Sequence, residues 1–130
     1  MRKEKILAIL LSIIMIFVLG ACEQGGGPAA QTVEAYLKSL VAQDGATISN
    51  LSCSEWESQA LMEMDSFQAV KPTLVGMACS QTGEDGNAAL VDCEGKIVTT
   101  YDTEVREFDL SIRTYKVQKE GGEWRVCGYK

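Results

Sequence analysis

At Thr73 the hydrophobic pattern of the chain changes from a helical period to alternation. That switch sets the fold class, because it divides the chain into a helical half and a strand half. Before it, Val33, Tyr36, Leu37, Leu40 and Val41 recur at helical spacing and make one apolar stripe. Pro28 suits the first turn of this helix, where a missing N–H costs nothing. Asp44-Gly45 ends it, with Gly45 as the expected left-handed cap. A short helical turn over residues 46–51 is weakly signalled. Ser54-Glu55-Trp56-Glu57 then has the order of a capping box, with Ser54 at the N-cap and Glu57 three residues on. It opens a second long helix whose apolar face carries Trp56, Ala60, Leu61, Met64 and Phe67.

After Thr73 three turn signals cut the sequence into strands: the cluster around Gly86-Asn87, then Asp102-Thr103, then Gly121-Gly122. Folding about Gly86 sets Cys79 opposite Cys93, Met77 opposite Gly95 and Val75 opposite Ile97. Folding about Asp102 sets Lys96 against Asp109 and Ile97 against Phe108, with Gly95 against Leu110 and Cys93 against Ile112. The phase then slips by one residue, since Phe108, Leu110 and Ile112 are even but Tyr115 and Val117 are odd. A β-bulge near Arg113-Thr114 would absorb the extra residue. The last turn pairs Val117 with Val126 and Lys119 with Trp124. One face of a four-stranded meander thereby collects Val75, Met77, Val91, Ile97, Phe108, Leu110, Ile112, Tyr115, Val117, Trp124 and Val126. Lys96, Glu107, Asp109, Ser111, Lys116, Gln118 and Arg125 fall on the other face. An antiparallel sheet with one buried and one wet face has this pattern.

The register brings Cys79 and Cys93 together as a cross-strand bridge. Cys53 and Cys127 are then paired by elimination. In this register Cys127 lies on the polar face, so either Cys53 reaches around the sheet edge or the last strand is irregular near Gly128. Two bridges suit a small exported domain.

The N-terminus supplies the export signal. Arg2, Lys3 and Lys5 precede an apolar run from Ile6 to Leu19, and Leu19-Gly20-Ala21-Cys22 follows. The run has the length of a signal-peptide core and is short for a membrane span. The four residues resemble the lipobox of bacterial lipoproteins. On that resemblance residues 1–21 form a signal peptide, and Cys22 is the lipidated residue. Residues 22–28 are a flexible Gly-rich tether, and residues 29–130 are the domain. The thiolate of Cys22 is the nucleophile such a modification needs, and several acyl chains anchor stably where one does not. An uncleaved membrane helix and an ordinary signal peptide that leaves Cys22 a free thiol are the other readings. The resemblance implies a lipid anchor on the extracytoplasmic face of the membrane. Glu23 is not the aspartate associated with inner-membrane retention, which in a two-membrane cell points to the outer membrane.

Charge and composition exclude several functions. The chain has a net charge of −6 and no histidine. Loss of Arg2, Lys3, Lys5 and Glu4 with the leader would take the remainder to −8. This acidity argues against nucleic acid as a partner. The missing histidine excludes Ser-His and Cys-His catalysis and removes the commonest zinc ligand. No cofactor or metal is implied.

Helices followed by a curved antiparallel meander resemble the nuclear transport factor 2-like cone fold, and in particular small bacterial lipoproteins with that domain. The residues that carry the resemblance are Thr32-Val33-Glu34-Ala35-Tyr36-Leu37, Glu55-Trp56-Glu57 and the closing Gly122-Glu123-Trp124-Arg125-Val126-Cys127-Gly128-Tyr129. The resemblance implies an α+β fold with N-terminal helices packed on a curved four-stranded antiparallel sheet. Any site would lie between helices and sheet, with Tyr36, Trp56, Met77, Phe108 and Tyr115 as the candidate lining. No catalytic residue is carried over. The isomerase members need a carboxylate in the pocket, and no acidic residue is expected to project into the apolar face, since Asp92 and Asp109 fall on the other parity. The expected function is a non-catalytic, membrane-anchored module that binds a small apolar ligand or an envelope partner. An isomerase-type enzyme and a purely structural lipoprotein are the alternatives.

Overall fold

The structure is a computed structural model and describes residues 26–130. Cys22 and the leader before it lie outside the described residues. Three helices, α1 (Pro28–Ala42), α2 (Gly45–Leu51) and α3 (Glu57–Asp65), precede five strands. These are β1 (Thr73–Asp85), β2 (Ala88–Tyr101), β3 (Glu104–Asp109), β4 (Thr114–Glu120) and β5 (Glu123–Tyr129), all in one antiparallel sheet. The order is β1-β2-β4-β5, and β3 pairs with the far end of β2. The α+β architecture expected from the change of period is present, with five strands in place of four.

The fifth strand arises because the long third strand is broken. Asp109 Oδ1 accepts from the Ser111 N–H at 2.9 Å and from its hydroxyl at 2.7 Å. These bonds hold the Asp109 carboxyl below the usual carboxylate range. They also wind Leu110–Ile112 into a 3-10 turn, a local alternative to the ladder that Asp and Ser side chains offer. The expected pairs Lys96–Asp109 and Ile97–Phe108 form. Those of Gly95 with Leu110 and Cys93 with Ile112 do not. Beyond the turn β2 pairs again, Asp92 with Thr114 and Val91 with Tyr115. The one-residue slip between these two sets is the one anticipated, but a turn absorbs it instead of a bulge. Ile112 is left 75% exposed.

In the first hairpin Cys79 faces Cys93 as expected, but Val75 faces Lys96 and Leu74 faces Ile97. An irregularity between Val75 and Ala78, opposite Gly95, shifts the phase. Val75 is consequently exposed. Leu74 packs against the core in its place.

The helices differ from expectation at their ends. Gln43, not Gly45, takes the left-handed conformation after α1. Its side-chain amide holds it there by donating to the Leu40 and Met64 carbonyls. Asp44 caps α2 by accepting from the Thr47 N–H and hydroxyl. The capping box does not form, because the Ser54 hydroxyl and N–H are given to the Glu120 carboxylate at the end of β4. Helix α3 starts at Glu57, with Trp56 at the N-cap.

The core lies between α1 and the sheet. Val33, Tyr36, Leu37 and Leu40 of the predicted stripe are buried there with Ala30, Val41 is partly buried beside them, and Val91, Tyr115, Val117 and Val126 meet them from the strands. After α2 the chain adds a rung to the outer edge of β5, where Ser52 bridges Val126 and the Cys53 N–H donates to the Val126 carbonyl at 2.8 Å. Cys53 and Cys127 are at disulfide distance, as are Cys79 and Cys93. Of the two routes that would bring Cys127 to Cys53, the irregular strand is the one observed. Lys116 pairs with Gly128 and Val117 with Val126, so Cys127 is the extra residue.

Candidate functional site

A cavity of about 620 Å³ opens between the C-terminal half of α3 and the β2–β3 hairpin. Its size is in the range of small-molecule sites. Phe67 and Val70, which follow α3, make one apolar wall, and Phe108 makes the facing one. The two phenyl rings meet edge to face at 5.9 Å. Met62 and Tyr101 border the opening. These two side chains and Phe108 are 59%, 60% and 46% exposed, so half-exposed apolar groups from three elements converge on one space. Such convergence on a small acidic domain is characteristic of a binding surface.

The charged lining comes in pairs, beside the neutral Gln59, Ser66 and Thr99. Arg106 bonds Glu104 at the hairpin tip, and both are mostly exposed. At the inner end Arg113 bonds Glu63 through Nη1. The Glu63 side chain is 10% exposed and that of Arg113 31%, so this pair is much drier than the other. A chain of donors runs toward Glu63: Trp56 Nε1–H to the Tyr36 hydroxyl, and that hydroxyl to Glu63 Oε2, each at 3.3 Å. Arg113 also lies over the Tyr129 ring, 4.1 Å from its centre. Burial works against the Arg113 charge, but the Glu63 carboxylate outweighs it and holds the guanidinium above its ordinary pKa.

Tyr36 and Tyr115 stand behind this pair, buried and edge to face at 6.4 Å. Burial and the Glu63 charge raise the Tyr36 pKa. Burial raises that of Tyr115 to about 12, against the opposing pull of Arg113. The Tyr115 hydroxyl makes no well-formed hydrogen bond among the described residues, and Arg113 is the polar group that acts on it. A tyrosine with a raised folded pKa keeps its proton where the unfolded chain has lost it. Stability is therefore full below about pH 10, the unfolded value. It falls as the pH rises from there through about 12. Tyr115→Phe removes one such group. It is expected to move the alkaline unfolding midpoint upward, followed by circular dichroism, while changing neutral-pH stability by no more than about 1 kcal/mol. An unmoved midpoint would contradict the assignment.

Of the five residues expected to line a pocket, only Phe108 does so. Tyr36 and Tyr115 are core residues, packed too deep between α1 and the sheet to border open space. Trp56 and Met77 are partly buried against that core. Met77 sits in the irregular stretch of β1, and Trp56 meets Tyr129 edge to face at 5.4 Å. Glu63 and Arg113 were not anticipated. Glu63 stands four residues before Phe67 and three after Ala60, on the apolar face of α3, and that spacing is the signal that marks it. Arg113 falls in the stretch expected to bulge, and nothing in the sequence points its side chain at α3.

No protein-family model and no curated protein matches the chain. Among solved structures, a SEC-C motif containing protein from Rhodopseudomonas palustris is similar over 82% of this chain and 80% of that one. The TM-score is 0.54 at 9% sequence identity, a likeness of fold alone.

Proposed function

We propose that the chain is an extracytoplasmic lipoprotein, anchored through Cys22, whose domain is a non-catalytic module for a small apolar ligand. The cavity between α3 and the β2–β3 hairpin carries this reading, because apolar side chains from three elements border it and are left half exposed around it. The cone-fold resemblance supports it by implying a site between helices and sheet. The lipobox resemblance supports the address.

Residues 23–130, exported to an oxidising compartment behind a cleavable leader, should bind the neutral dye Nile red with a fluorescence increase. Phe108→Ser should weaken that binding about tenfold, the worth of one buried aromatic side chain, with the melting temperature little changed. Equal binding by both proteins would sink the cavity as the site. For the anchor, inhibiting lipoprotein signal peptidase should leave an uncleaved precursor in the membrane. Release of a soluble, unlipidated product would sink that part.

One observation favours a second reading, an isomerase-type enzyme: Glu63 is a nearly buried carboxylate beside a tyrosine. Arg113 occupies one of its oxygens and Tyr36 the other. With a donor on each oxygen, a substrate could reach the carboxylate only after Arg113 or Tyr36 had moved aside. The binding module is therefore the reading preferred here.

A further inference from the structure

We propose that the cavity reads the head group of its ligand, and that it takes an uncharged amphipath: an apolar body ending in a carbonyl acceptor, such as an ester, ketone or amide. This rests on the apolar-ligand reading above and deepens it. Three features of the inner end of the cavity carry the inference.

The first is unspent donors. A guanidinium has five N–H groups and accepts nothing. Arg113 gives Nη1 to Glu63 and acts on the Tyr115 hydroxyl, and these two partners leave part of its set of N–H groups without an acceptor among the described residues. Tyr129 covers one face of the guanidinium, and among the neutral and charged polar groups that line the cavity Arg113 is one that offers donors and no acceptor. A ligand placed there must bring an acceptor.

The second is charge. Arg113 is matched by Glu63 and Arg106 by Glu104, so the lining carries two positive and two negative side chains. A carboxylate head at Arg113 would add a second negative charge beside Glu63 in a partly dry site, where like charges oppose each other. An ammonium head would meet the Arg113 donors with nothing to offer them. A neutral carbonyl satisfies the donors and incurs neither repulsion.

The third is shape. Phe67, Phe108 and Val70 line the same cavity as this polar group, together with the exposed Met62 and Tyr101. A body of acyl or flat aromatic character would lie along them with its head inward.

The test is competition for Nile red on residues 23–130 by three probes of equal chain length, methyl decanoate, decanoate and decylammonium, each below its aggregation concentration. Methyl decanoate is expected to bind tightest, with decanoate and decylammonium weaker by about tenfold or more. Glu63→Gln keeps an acceptor for Arg113 but removes the negative charge, and should close the gap between decanoate and the ester. Arg113→Met should abolish the preference for the ester. Because it also strands Glu63, a melting curve must accompany it, and the Glu63→Gln result decides the matter if the Met variant is unfolded. Decanoate binding as tightly as the ester, or tighter, in the unsubstituted protein overturns the inference. So does equal binding by all three probes, although that result leaves the apolar site intact. If neither the dye nor any probe binds, the apolar-ligand reading itself has failed.

Discussion

Replacing Cys53 and Cys127 together by alanine is expected to lower the stability of the oxidised domain by about 4 kcal/mol. The cysteines are 74 residues apart, and a cross-link that closes so long a loop removes a large share of the unfolded chain's freedom. The bridge ties the segment after α2 to the last strand, so it also holds the helical layer on the sheet. The Cys53 N–H bond to Val126 and the Ser52 bridge remain without it. The native arrangement should therefore persist, and the whole effect should appear as an easier unfolding transition. Denaturant titration by fluorescence and circular dichroism measures it. A loss under about 1 kcal/mol would mean that this bridge contributes little to the fold.

The second large effect is expected at Gly95. Its φ is +90°, which side chains rarely adopt, and a Cβ there would stand 2.5 Å from the Gly76 carbonyl oxygen and 2.6 Å from that of Val75. Both neighbours are backbone, so nothing can swing aside. Gly95→Ala should cost about 3 kcal/mol, combining a strained conformation with a steric conflict. Gly86→Ala is the control. Its φ is +59°, but a Cβ there meets nothing within 4 Å, so only the conformational cost of about 1 kcal/mol applies. Equal losses at the two positions would show that the close approach between β2 and the irregular stretch of β1 does not matter.

The strand pairings were legible where turn chemistry pins the register. Gly86-Asn87, Asp102-Thr103 and Gly121-Gly122 each close a two-residue turn. Counting outward from the last two gives Ile97–Phe108 and Val117–Val126 as observed, whereas counting from Asp85–Ala88 leads to Cys79–Glu94, and a one-residue shift between Gln81 and Gly83 brings Cys79 to Cys93. Errors begin where an extra residue enters between turns. Alternation is blind to an inserted residue except as a change of parity. The slip before Tyr115 showed in this way, whereas the one at Gly76-Met77 did not, because Leu74 and Val75 are interchangeable by hydrophobicity. The capping box failed for another reason. Ser54 has two acceptable partners, and the one that holds it, Glu120, is remote in sequence. The site was the least legible part. Tyr36 and Tyr115 have the composition of a pocket lining, but the depth of α1 against the sheet decides that they fill the core instead. Glu63 and Arg113 meet only because the 3-10 turn of Leu110–Ile112 re-aims the chain, and no local pattern encodes a contact made across fifty residues.

The relay from Trp56 through Tyr36 to Glu63 gives the domain an optical handle. An indole whose N–H is hydrogen-bonded next to a carboxylate and whose ring rests on Tyr129 has an emission that follows the local field. The other tryptophan, Trp124, sits on the β4–β5 hairpin beneath the Lys119 ammonium, 5.4 Å away, and does not line the cavity. Any molecule that disturbs the inner end of the cavity should therefore shift one of two intrinsic emission bands and leave the second as an internal reference. With Trp124 replaced by phenylalanine, the protein becomes a label-free sensor of its own occupancy.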